Sequence, residues 1–322
     1  VGGFSRRTNE TEIFTQSVRL GNTDVAFTLA VLQMIVVLLA FQISRPSQHH
    51  TTSTHASSAP MPLHTKPRGR WIVVTSVIIP VIVVTLPLVA TLIRSVSYRG
   101  HISFHAWTTV FGGTLPQLTV STWRVLGTSL LFSVITAVVT VLLALIAAQQ
   151  MGRQWFQYPE QHRVLRFIAS LPLVVSAATL GLGLVITFNK DPFAWRSHTW
   201  LIPVIHALIA LPVAIRILEP AVQAIPSSLR DNAALLGVSP WHTWLRIDIA
   251  LLRPALLRSV GIAAAISLGE FGVTSFLTRS NSTTMTMAIS QLLGRPGALT
   301  QQSGYVLASL LIVLTVGVTS RA

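Results

Sequence analysis

Apolar positions along the chain gather in long blocks between short polar stretches, and they do not alternate residue by residue. Blocks rich in Leu, Val, Ile and Ala cover about residues 25 to 43, 71 to 93, 125 to 148, 165 to 188, 200 to 218, 256 to 277 and 304 to 319. Each approaches the ~20 residues a helix needs to cross ~30 Å of hydrocarbon. Without period-two alternation they read as helices, which close their backbone hydrogen bonds internally, and not as barrel strands. The expected fold is all-α: a polytopic helical membrane protein of about seven transmembrane helices embedded in a lipid bilayer.

Two polar stretches outlast a simple turn. Residues 44 to 70, SRPSQHHTTSTHASSAPMPLHTKPRGR, carry too little apolar surface to fold and read as a disordered linker. His49, His50, His55 and His64 lie in it at spacings that fix no coordination geometry. His101 and His105 stand four apart, as ligands on one helical face would, but lack an acidic neighbour, so no metal site is expected.

Residues 225 to 254 read IPSSLRDNAALLGVSPWHTWLRIDIALLRP. Pro226 and Ser227 open a short helix, and Ser228 with Asp231 has the spacing of a capping box. Gly237 suits the left-handed position that closes a helix. Ser239 then caps, and Pro240 starts, a second short helix from Trp241 onward, at a position where a missing N–H costs nothing. The result is a rigid corner presenting Ala233, Ala234 and Leu236 at one end and Trp241 and Trp244 at the other. Such a corner can dock into a partner, or lie as an amphipathic hairpin at the membrane interface, where Trp is also favoured.

Composition supports the membrane assignment: 51% of residues are hydrophobic and 10% charged, with a mean hydropathy of +0.64, against ~25% charged in soluble domains. The formal charge of +14 does not signal a nucleic-acid partner, because the 21 arginines and two lysines are scattered through loops and block ends, not clustered. With no cysteine there is no disulfide framework or thiolate site. The acidic Glu10, Glu12 and Asp24 argue against a signal peptide. Alternating seven spans from a cytoplasmic linker places 13 of the 23 basic residues inside, a small excess in the expected sense.

The two ends of the chain resemble each other. TEIFTQSV near residue 11 and TMAISQLL near residue 286 align Thr11, Phe14 and Gln16 with Thr286, Ile289 and Gln291. A two-residue gap then brings LAVLQ at 29 to 33 opposite VLASL at 306 to 310. A direct repeat is expected: residues 1–43 as the tail and last helix of a first copy, 44–70 as the linker, and 71–322 as a second copy. The first residue is Val, which fits an N-terminally truncated protein.

Glu270 is the one acidic residue deep in an apolar block, expected inside a helix spanning 256 to 277. An ionised carboxylate there costs a few kcal/mol unless it faces the bundle interior or water. Gly269 and Gly272 beside it would let a neighbouring helix approach closely. Glu270 either fixes packing or lines a translocation path with Gly269 and Gly272, favouring a cationic solute. A secondary transporter using Glu270 as a proton or cation site is the alternative, but such folds usually carry inverted repeats. Motifs of intramembrane enzymes are missing.

The 225 to 254 segment resembles the cytoplasmic coupling loop of ABC-importer permeases: a Glu-Ala-Ala triplet, a glycine six residues after the Glu, and an Ile-x-Leu-Pro-like stretch. Here the triplet positions are Asp231, Asn232 and Ala233, the glycine is Gly237, and IDIALLRP follows. The first two triplet residues depart from the pattern, as does Ala250 where proline is common. ISLGEFGVTSFLTRS at 266 to 280 and TMAISQLLGRPG at 286 to 297 are similar to the end of the fused, two-copy ferric-iron and thiamine permeases.

The resemblance implies a multi-pass permease of the bacterial cytoplasmic (inner) membrane that passes a small solute inward, such as ferric iron or thiamine. A separate ABC ATPase, acting as a dimer, would drive it, and an extracytoplasmic solute-binding protein would deliver the solute. The ATPase would dock on Asp231, Asn232, Ala233, Leu236, Gly237, Pro240 and Trp241. No cofactor is expected on this chain. A phosphate loop needs a lysine after a glycine, and neither Lys66 nor Lys190 follows one, so ATP would be hydrolysed by the partner.

Overall fold

The computed structural model describes residues 9–43, 67–98, 100–112, 115, 118, 120–154, 169, 171–172, 175–188, 198–278 and 282–320. Helix α1 (Asn9–Phe14) runs through a π turn (Thr15–Arg19) towards α2 (Thr23–Ile43). Helix α3 (Pro67–Val96) is followed by a two-residue hairpin, β1 (Ser97–Tyr98) and β2 (His101–Ile102), and the short α4 (His105–Phe111). Then come α5 (Thr122–Gln154), α6 (Ala177–Thr187) and α7 (Leu201–Gln223). Next are α8 (Ser227–Leu235) and α9 (Pro240–Thr243), a π turn (Trp244–Asp248) and α10 (Ile249–Gly269). The described chain ends with α11 (Gly272–Leu277), α12 (Met285–Leu293) and α13 (Ala298–Ser320).

Among the described residues five stretches are long and apolar enough to cross a membrane: Val74–Val96, Thr122–Met151, Leu201–Gln223, Pro240–Gly269 and Ala298–Ser320. Asp24–Val37 and Ala177–Thr187 are shorter apolar helices, so each of the seven expected blocks meets a helix. Three expectations change. The proposed linker lies outside the described residues up to 66, His49, His50, His55 and His64 included, while Pro67–Arg70 belong to α3. Proline is well placed there, in the first turn, where its missing N–H leaves no intrahelical bond broken. His101 sits in β2 and His105 opens α4, so the two do not share a helical face. The block 256 to 277 is not one helix, because it stops at Gly269 and restarts at Gly272.

Helix α5 organises the bundle, and its sequence shows why. Ser129, Ser133, Thr136 and Thr140 fall at i, i+4, i+7 and i+11, one face of a helix, and all four are buried. Ser133 Oγ donates to the Ala264 carbonyl of α10 at 3.1 Å, and Thr136 Oγ1 to the Pro203 carbonyl of α7 at 3.1 Å. Thr140 Oγ1 donates to Ala207 O at 3.4 Å, and Ser129 Oγ accepts the Met285 N–H of α12 at 2.8 Å. Apolar attraction between helices vanishes in hydrocarbon, so small residues and such bonds, each about 0.6 kcal/mol, hold the contact. The opposite face of α5, with Leu131, Val134, Val138, Leu142 and Ile146, is exposed. It is the natural face for lipid.

At one end of this bundle Ala144, Ala148 and Met151 of α5, Leu218 and Val222 of α7 and Leu252 of α10 form a buried cluster. It underlies the chain reversal from α7 into α8 and α9. At the other end Leu201, Ile202 and Ile205 of α7 pack with Val273 and Leu277 of α11.

Candidate functional site

The corner between α8 and α9 is closed by backbone geometry. Gly237 has φ +73°, the conformation expected from the sequence. The Gly237 N–H reaches Ala234 O at 3.0 Å and the Val238 N–H reaches Ala233 O at 3.0 Å, the paired bonds of a Schellman closure. A Cβ on Gly237 would meet nothing within 4 Å, so the demand for glycine is purely torsional. Pro240 is the first residue of α9, as expected.

The side-chain caps differ from expectation. Helix α8 starts at Ser227, which puts Ser228 one residue inside it, too late to cap. Pro226, in an extended conformation, holds the capping position and has no side-chain acceptor. Ser239 precedes α9 but makes no side-chain cap; its hydroxyl lies 2.7 Å from His242 Nδ1. The second helix is not short either. From Pro240 to Gly269 the chain is helical throughout, so the corner feeds directly into a 30-residue candidate span. Pro254 lies inside this run, and the helix continues through it.

The exposed surface of the corner is apolar. Leu235 and Leu236 are 85% and 82% exposed, and Trp241 is 62% exposed and stacked on the half-buried Trp244 at 5.0 Å. Asp231 and Asn232 are exposed, whereas Ala233, expected on the surface, is buried. It lines the wall of a recess of about 310 Å³ together with Leu229, Asn232, Leu236, His242 and Arg246. A helix this short buries one face against its own reversal, and Ala233 falls on that face.

Sequence reasoning missed the brace beneath the corner. Arg230 Nε of α8 donates to both carboxylate oxygens of Asp248, at 3.0 and 3.1 Å, and Asp248 is 2% exposed. The pair ties α8 to the base of the long helix. An aspartate at the start of an apolar run, 18 residues from an arginine, was the available signal.

The second expected site takes a different shape. Glu270 lies in the interruption between α10 and α11, in an extended conformation. It is half-buried, and its Oε1 accepts the Val273 N–H at 2.9 Å, capping α11. Gly272 approaches a neighbour closely, as expected: a Cβ there would lie 2.8 Å from the Cβ of Ala177 at the start of α6. Gly269 does not, since a Cβ on it would meet nothing within 4 Å. The two glycines fall on opposite sides of the break and share no face. Gly181 of α6, missed in the sequence, is the second close contact, with a Cβ placed 2.8 Å from the Phe276 ring.

A buried histidine, also missed, completes this site. His206 of α7 is 1% exposed, with Nδ1 2.9 Å from Ser267 Oγ and Nε2 2.9 Å from Thr274 Oγ1. Thr274 and Thr286 both donate to the Glu270 carbonyl, at 3.2 and 3.0 Å. Among the described residues no group of three or more His, Cys, Asp or Glu could hold a metal ion.

Residues 140–322, more than half of the chain, match the family described as the binding-protein-dependent transport system inner membrane component. The chain belongs to this family. It is therefore a membrane subunit of ABC-importer type, and the α8–α9 corner and the α10–α11 break both fall inside the family region. A protein of Salmonella typhimurium named as a 2-aminoethylphosphonate transport system permease is 24% identical over 41% of this chain and 49% of its own length. The chain thus spans about half of that relative. A molybdenum transport system permease protein of Mycobacterium bovis is 27% identical over 76% of this chain and 89% of its own length. One chain of a bacterial ABC transporter involved in the import of the acidic polysaccharide alginate shares the fold, with a TM-score of 0.53, 12% identity, and coverage of 80% of this chain and 97% of that one.

Proposed function

We propose that this family member is the permease through which a small solute enters the cytoplasm, driven by a separate ATPase docked on the α8–α9 corner. One observation carries the reading: Leu235, Leu236 and Trp241 stand out on a frame locked by Gly237 and by the Arg230–Asp248 pair. A rigid apolar knob continuous with a membrane-length helix can pass a partner's motion into the bundle as a rigid body. A solute-binding protein is the second proposed partner, on the opposite membrane face. The solute path is proposed to run past the α10–α11 break, with Glu270, Gly269 and Gly272 at its wall.

The solute class follows from two considerations. Glu270 Oε1 accepts the Val273 N–H, so the residue has a role at the start of α11 that calls for no cationic solute. The relatives described above are named for 2-aminoethylphosphonate, molybdenum and an acidic polysaccharide. An acidic small solute is therefore the reading favoured here. Residues 1–43 are proposed to be the tail and last helix of a first copy. In support, α2 begins 12 residues after Thr11 and α13 begins 12 residues after Thr286, each behind a short helix.

The test is uptake into proteoliposomes holding the chain with the ATPase and binding protein encoded beside it, using labelled molybdate, 2-aminoethylphosphonate and thiamine. ATP-dependent uptake of one of the anions is expected. Uptake driven by a proton gradient without ATP would replace this reading with a secondary transporter, and selective thiamine uptake would restore the cationic solute.

A further inference from the structure

The break at Glu270 differs from an ordinary helix end in how it is held. Neither Gly269 nor Gly272 has a positive φ, and Glu270 and Phe271 have φ −71° and −115°, so no left-handed torsion fixes the interruption. Side chains fix it instead. Ser267 is in the last turn of α10 and Thr274 in the first turn of α11, and one imidazole from α7 bonds to both.

The bonding pattern assigns the tautomer. The Thr274 hydroxyl proton is directed to the Glu270 carbonyl at 3.2 Å, so Thr274 Oγ1 accepts from His206, and Nε2 carries the proton. Nδ1 is then the acceptor, and the Ser267 hydroxyl donates to it. A neutral imidazole satisfies both ring nitrogens and both hydroxyls with no charge left over. The chain from Ser267 through His206, Thr274 and the Glu270 carbonyl continues to Thr286, at the start of α12. Helices α11 and α12 thus meet at the Glu270 carbonyl, and α7 and α10 join them through His206.

We propose that His206 is a positioning residue: it pins both ends of the break, so that the interruption at Glu270 and Phe271 keeps one shape. Its importance for transport rests on the reading that the solute passes this break, and the experiment separates the two. The chain has no cysteine, so introduced thiols report uniquely. Spin labels on Val260→Cys of α10 and Phe271→Cys in the break, both at exposed positions, read its geometry in the full chain assembled with its ATPase in liposomes. Phe271→Cys alone, treated with a membrane-impermeant thiosulfonate, reads access to the path.

A narrow distance distribution is expected in the parent chain, and a broadened or split one in His206→Leu. The labelling rate at Phe271→Cys should then change about tenfold, as unpairing a buried polar group implies. His206→Gln, which keeps one donor and one acceptor, should recover most of the parental behaviour. If His206→Leu fails to insert, Ser267→Ala removes one pin only and should broaden the distribution on its own. A distribution as narrow in these variants as in the parent overturns the inference. A broadened distribution with a thiol that no reagent reaches in any state upholds the pin and overturns the path through the break.

Discussion

The α8–α9 corner and the α10–α11 break are both interruptions of helix, and they are built by opposite means. At the corner the backbone does the holding: Gly237 takes φ +73°, two main-chain bonds close α8, and a single ion pair braces the result. Its outer face is left apolar and uncovered. At the break the backbone is ordinary, and a network of buried and half-buried side chains from α7, α10, α11 and α12 supplies the geometry. A backbone-closed turn moves as one piece, which suits a surface that receives force. A side-chain-pinned gap can open when a few bonds exchange, which suits a place where something passes.

The largest expected effect tests the brace. Arg230→Ala leaves the Asp248 carboxylate buried without its partner, a change that costs about 3 kcal/mol where the arginine is partly exposed. The thermal midpoint of the purified chain should drop clearly, and solute-stimulated ATP hydrolysis of the assembled complex should fall to background. An unchanged midpoint would show the pair to be idle and the corner to be held by Gly237 alone.

Next comes the torsion. Gly237→Val forces a β-branched residue to φ +73° at about 1 to 2 kcal/mol, although its Cβ would touch nothing within 4 Å. Membrane insertion should survive while ATPase coupling is lost. Gly237→Asn, which enters the left-handed region more readily, should retain most of the coupling. Equal loss in both variants would mean that space at the corner, and not its torsion, is what matters.

The contrast between the two regions also explains what could be read in advance. Gly237 and Pro240 were legible because the corner is local: helix, closing glycine and opening proline follow one another within 14 residues of Ser227. The break was not, because its determinants are remote in sequence. His206 lies 61 residues from Ser267 and 68 from Thr274, and a lone histidine in an apolar block signals nothing without those partners. Glu270 stood out, but its hydrophobic neighbours continued on both sides, so the block read as one helix through a gap that composition does not mark. Arg230 and Asp248 failed for the same reason on a smaller scale.

A smaller effect is expected at the knob. Leu235→Ala removes apolar surface that is 85% exposed in this chain, so its thermal midpoint should not move. Affinity for the ATPase subunit, measured by titration in detergent, should weaken by about 1 kcal/mol or more if Leu235 is a central contact. A variant that binds as tightly as the parent would shift the proposed docking face towards Trp241.

The smallest effect is expected from Glu270→Gln, and it separates the two ways the break can work. The side-chain oxygen of glutamine can still accept the Val273 N–H that Glu270 Oε1 accepts at 2.9 Å, so the cap on α11 survives. The Glu270 carbonyl, which receives Thr274 and Thr286, is untouched by the substitution. The charge is removed while these bonds remain. If the residue serves through geometry, uptake of an acidic solute should stay near the parental rate or rise slightly, because a repelling carboxylate has left the wall. Glu270→Ala, which loses the cap as well, should cost about 1 kcal/mol in stability and reduce uptake further. The ranking Gln above Ala is what a geometric role demands. If instead the charge selects a cation, Glu270→Gln should abolish thiamine uptake as thoroughly as Glu270→Ala does, with both proteins folded. That equality, measured at matched expression, would move Glu270 from holding the break to reading the solute.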